Sequence, residues 1–131
     1  MNNGSHKPAI WADAMRLLVE IEQAVRSFSR YHKYTLGSDL RGQAALVCRR
    51  VAHAARFPEQ RLASVQALVV AVEDLKISIQ LAKEVQAFAS FAQFQRIVEL
   101  AVQVGKQSGG WWKQVRSAAS RADAPASVRE A

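Results

Sequence analysis

Apolar side chains recur along this chain with the period of a helix, most densely between Pro58 and Phe88. At about 100° per residue, Leu62, Val65, Leu68, Val70, Val72, Leu75, Ile77, Ile79, Leu81 and Val85 cover well over half of a helix circumference. Only Glu73, Lys76, Gln80, Lys83 and Glu84 form a stripe suited to water. A helix so apolar must be covered on more than one side, by neighbours in its own bundle, by another subunit, or by both. Asp74 and Ser78 fall inside the apolar arc and need partners if they are buried.

A second long pattern follows after a short hinge at residues 89–91. Phe94, Val98, Ala101, Gly105, Trp112 and Val115 make one face, flanked by Ile97, Leu100, Val104 and Trp111, with Arg96, Glu99, Gln103, Lys106 and Lys113 opposite. Ser90 and Gln93 have the spacing of a capping box at its start. Gly105, Gly109 and Gly110 each cost about 1 kcal/mol against alanine in a helix interior, so they mark a close helix approach, a ligand contact or an early break. Upstream, Ile10, Ala14, Leu17, Leu18, Ile21, Val25 and Phe28 share one helical face, and Leu36, Leu40, Ala44, Val47, Cys48, Val51 and Ala55 share another. Thr35 is a candidate N-cap with Asp39 in the following turn, and Phe57-Pro58 ends one helix and starts the next.

The pattern therefore predicts an all-α fold, an antiparallel up-down bundle of four helices over residues 10–29, 36–56, 58–88 and 91–117. Leu17, Ile21, Leu40, Val47, Leu75, Ile79, Val98 and Trp112 are the expected core. The domain boundaries are a flexible tail over 1–9, the bundle over 10–119 and a second flexible tail over 120–131. No apolar run approaches the roughly 20 residues of a membrane span, and no signal segment opens the chain, so a cytoplasmic protein that does not enter membranes is expected. The single cysteine, Cys48, excludes an internal disulfide and agrees with a reducing compartment; on a core face it reads as a structural thiol.

Charge changes the picture. The formal net charge is +7, which points to an anionic partner, most often nucleic acid. Arg41, Arg49, Arg50 and Arg56 occupy one broad side of the second helix, which carries no acid after Asp39. Solvated helix faces usually mix signs, so an unbalanced one is a candidate phosphate-binding surface. Just before it, Phe28-Ser29-Arg30-Tyr31-His32-Lys33-Tyr34 joins aromatic rings to Arg30 and Lys33 without an acid. Such a stretch can stack bases and hold phosphates, or its rings can close the end of the bundle. The candidate nucleic-acid-binding residues are Arg30, Lys33, Arg41, Arg49, Arg50 and Arg56.

Catalytic and metal-binding signatures are missing. His6, His32 and His53 have no carboxylate at ligand spacing, and there is no Glu-x-x-His pair, Cys/His cluster, phosphate loop or nucleophile elbow. Neither an enzyme activity nor a cofactor is expected.

Four features stand in order: Phe28 with Tyr34-Thr35-Leu36-Gly37; Pro58; the run Leu75-Lys76-Ile77-Ser78-Ile79-Gln80-Leu81-Ala82-Lys83-Glu84; and Gly105-Lys106 leading to Gly109-Gly110-Trp111. As a set, over roughly residues 10–115, they resemble the four-helix proteins related to those encoded in ribosomal RNA intervening sequences, in particular the accessory variability determinants (Avd) of diversity-generating retroelements. That family often has proline after the phenylalanine, where this chain has Ser29. The resemblance implies a homopentameric barrel of four-helix bundles that binds the element's reverse transcriptase and template RNA. Such a protein supports mutagenic cDNA synthesis without catalysing it. It equally admits a stand-alone structural or interaction protein of the intervening-sequence type, with no retroelement.

Overall fold

The computed structural model describes residues 9–122, which form a four-helix bundle with no strand among them. Helix α1 spans Ala9–Arg26; a single turn, α2, spans Arg30–Lys33; α3 spans Leu36–Arg56; α4 spans Arg61–Glu84; and α5 spans Phe91–Ala122. The long helices sit at the corners of a square, α1 and α4 each packing against both α3 and α5. Cross-helix pairs run in opposite order, Asp13 with Gln107 and Glu20 with Arg96, so α1 and α5 are antiparallel. Helices joined by such short connections have no other way to stay adjacent.

Of the expected core, Leu17, Ile21, Leu40, Val47, Leu75 and Ile79 are fully buried. Val98 and Trp112 are only half-buried; Val98 is turned away from the inward face of α5, which runs through Phe94, Ile97, Ala101, Val104 and Ser108. Trp112 shares the direction of Phe94 but falls past the first described residue of α1, and the Arg116 guanidinium lies 5.6 Å from its ring centroid.

The helix ends show which local signals operate. Helix α3 has the expected bounds, 36–56. Thr35 stands at its N-cap position but does not cap it: the hydroxyl donates backward to the Tyr31 and His32 carbonyls. Gly37 follows because a Cβ there would lie 2.7 Å from Val25 Cγ1 and 3.3 Å from the His32 carbonyl. Ser29, where the resembled family favours proline, has φ −58° and accepts a bond from the His32 amide, capping the unanticipated turn α2. Pro58 opens a 3₁₀ turn, Pro58–Gln60, rather than α4 itself.

Helix α4 ends at Glu84, four residues before the expected 88, and the hinge is longer than three residues. The cause is a Schellman motif: the Ala87 amide donates to the Ala82 carbonyl, the Gln86 amide donates to the Lys83 carbonyl, and Gln86 takes φ 59°. Beyond it Ser90 Oγ accepts from the Gln93 amide, and Gln93 Oε1 accepts from the Ala89 amide, a box shifted by one residue. No break occurs at the glycines: α5 is continuous to Ala122, past the expected 117 and the 119 domain boundary. The tail over 1–9, apart from Ala9 at the start of α1, and the tail beyond Ala122 lie outside the described residues.

The apolar excess of α4 remains on the surface of the bundle. Val70, Ile77, Leu81 and Val85 are between 47% and 58% exposed and line one side of the helix, with exposed Asp74 among them; Ser78 is buried. Among the described residues no helix is long and apolar enough to cross a membrane.

Candidate nucleic-acid interface

The six cations expected to meet nucleic acid divide into unlike groups. Arg41 leans toward α1 and is tied to Glu22 by a 2.9 Å ion pair. The acid-free appearance of α3 is therefore true of that helix and not of its surroundings, because α1 supplies a counter-charge. Arg50 leans the other way, over an open groove of about 400 Å³ between α3 and α4 lined by Leu46, Ala67, Val70 and Asp74. Arg49 and Arg56 point away from the bundle and are exposed, and among the described residues neither has a carboxylate within ion-pair distance. Arg56 instead rests its guanidinium 5.8 Å from the Phe57 ring centroid, leaving its donors free for phosphate. Arg30, exposed, and Lys33, half-buried, lie on α2 at the end of the bundle.

The other long sides differ in kind. On the α1–α5 side, Arg16 pairs with Asp13, and Arg96 faces Glu20 at 3.6 Å beside Glu99. That surface mixes signs in the usual way of solvated helices. The outer side of α4 is the apolar seam. The outer side of α3 presents Arg49 and Arg56 without acids, and the far end of α5 does the same with exposed Lys106, Lys113, Arg116 and Arg121, no acid following Glu99 among the described residues.

Sequence reasoning missed one arginine with a structural task. Arg61 Nε donates to the Ala54 carbonyl at 2.7 Å and its Nη2 to the Ala55 carbonyl at 3.0 Å, satisfying the C-terminal carbonyls of α3 from the first residue of α4. Its place three residues after Pro58 is the only trace in the sequence.

The aromatic stretch before α3 also divides. Phe28 is buried and meets Phe88 edge-on at 5.4 Å, and Phe88 meets Phe94 at 5.7 Å, so these rings close the end of the bundle. Tyr31 and Tyr34 take no part in that closure and are exposed.

Cys48 is buried, with its thiol 3.4 Å from the Ala14 carbonyl. Burial pushes the thiol up from its ordinary value, outweighing the opposite pull of Arg49. Such a group is a poor nucleophile. Among the described residues no group of His, Cys, Asp and Glu is placed to hold a metal ion. No family model and no curated protein matches the chain.

Proposed function

We propose that this chain is a non-catalytic, RNA-binding accessory protein of a diversity-generating retroelement, which assembles with copies of itself and with the element's reverse transcriptase on the template RNA. The observation that carries the RNA part is the pair Arg49 and Arg56, exposed on the outer side of α3 and, among the described residues, without acidic partners. Arg50, Arg30 and Lys33 extend the same charge toward the groove and the bundle end. The ordered resemblance to the accessory variability determinants supplies the retroelement and the polymerase. Self-assembly draws support from the α4 seam, and the family makes five subunits the expected number. In a ring, repeated copies of the α3 side multiply phosphate contacts, and each contact steepens the salt dependence of binding.

The seam also supports a second reading, a stand-alone interaction protein of the intervening-sequence type, because an exposed apolar stripe serves protein contact without any RNA. Co-purification with a reverse transcriptase encoded beside the chain's own gene separates the two. The RNA part is tested by Arg49→Glu with Arg56→Glu. The double variant should bind structured RNA more weakly, with a log–log salt slope shallower by about 2, and with helicity and oligomer size unchanged. Equal affinity for wild type and variant at the same ionic strength would refute it.

A further inference from the structure

The four-helix topology brings two connections to one pole, the segment from Ser27 to Thr35 between α1 and α3 and the segment from Val85 to Ser90 between α4 and α5. At this pole Tyr31, Tyr34 and Phe91 are 79%, 69% and 66% exposed. Rings of this size normally contribute their area to a core. Here the core is already closed beneath them by Phe28, Phe88 and Phe94, so packing does not account for their position. Nor are they loosely hung. Tyr31 stands edge-on to His32 at 5.1 Å, the Thr35 hydroxyl ties the backbone on either side of Tyr34, and Phe91 leans on Phe94 at 5.6 Å. Phe91 and Phe94 also wall an open hollow of about 280 Å³ with Lys83 at its side.

The charge around these rings is positive. Arg30 and Lys33 alternate with the tyrosines, and Arg26 ends α1 beside them. The acids nearest the pole are Asp39, in the first turn of α3, Glu22, one turn from the end of α1 and paired with Arg41, and Glu84, which Lys83 engages at 3.4 Å. Exposed rings interleaved with cations fit a strand that offers both a flat face and a phosphate at each step. A duplex offers phosphates alone, because its bases are stacked inside.

We propose that this pole is a stacking platform for single-stranded RNA, with unpaired bases on Tyr31, Tyr34 and Phe91 and the intervening phosphates on Arg30 and Lys33. The platform rests on the RNA-binding reading given above, but it takes a different feature of the RNA from the one taken by Arg49 and Arg56. A folded RNA could lie with a helical stem along α3 and an unpaired loop over the pole.

The test compares an unstructured oligouridylate with a blunt RNA duplex of equal length, by fluorescence anisotropy on the full chain. Tyr31→Ala with Tyr34→Ala should lose about tenfold or more of oligouridylate affinity for each ring that stacks, while duplex affinity stays within about twofold of wild type. Phe91→Ala should repeat the selective loss, and Tyr31→Phe with Tyr34→Phe should retain binding, since stacking needs the ring and not the hydroxyl. Arg49→Glu with Arg56→Glu should weaken the duplex more than the oligouridylate. Unchanged oligouridylate binding by the alanine variants overturns the platform, whether or not they fail to capture a protein partner. An equal loss of both RNAs also overturns it. A wild type that binds the duplex but not the oligouridylate sinks the platform alone; one that binds neither sinks the RNA-binding reading with it.

Discussion

Gln86 sits in the left-handed region, at φ 59°, where a side chain costs roughly 1–2 kcal/mol and glycine costs far less. It is held there by the two amide bonds of the Schellman turn, with buried Ala87 packed beneath. Gln86→Gly should therefore stabilise the fold by about 1 kcal/mol, read as a higher midpoint in urea with an unchanged slope; a lower midpoint would show that the Gln86 side chain carries more than strain. This residue also explains why the end of α4 was not legible. A left-handed cap announces itself in a sequence through glycine or asparagine, and glutamine leaves no such trace, whereas the Ser90–Gln93 cap was legible because its hydrogen bonds come from the side chains themselves.

At the scale of the helix, α3 was readable to its ends because Thr35 and Phe57-Pro58 bracket a clean apolar stripe. The inward face of α5 was not, since Phe94, Ala101, Gly105 and Trp112 share a border with apolar residues on either side, Val98 on one and Ile97 with Val104 on the other. Periodicity alone does not choose between them; packing against α1 and α4 chose the second. The glycines of α5 are a related case. A Cβ at Gly105 would make ordinary contact with Val72 and Lys76, and one at Gly109 or Gly110 would meet nothing within 4 Å among the described residues. Close approach inside the bundle therefore does not explain the last two. Gly109→Ala and Gly110→Ala should each stabilise the chain by about 1 kcal/mol in chemical denaturation. If either one instead disrupts assembly, the glycine is reserved for a neighbouring chain.

Over the described molecule, the sides are chemically unlike: cationic along α3 and the far end of α5, mixed along α1 and the first turns of α5, apolar along α4, aromatic and basic at one pole. The α4 seam was legible as an excess of apolar residues over what one bundle can cover. The split among the arginines was not, because a periodic pattern shows one helix at a time and Glu22 reaches Arg41 from another. Self-association through the seam should give a particle well above the 14.5 kDa of one chain in light scattering. Ile77→Lys with Leu81→Lys should reduce it to a monomer of unchanged helicity, since neither side chain enters the core. A wild-type monomer at micromolar concentration would rule this out.

The antiparallel topology has a practical consequence. The 3₁₀ turn between α3 and α4 lies at the pole opposite the exposed tyrosines, separated from them by the length of α3, 21 residues or about 30 Å. Glu59 on that turn is exposed, and Cys48, the only thiol in the sequence, is buried and hard to ionise. Glu59→Cys thus creates a single reactive handle for a donor dye, fixed at the far end of a rigid rod. Acceptors placed along an RNA would then be ranged by energy transfer, and a loop docked over the tyrosines would read as distant while a stem lying along α3 would read as near.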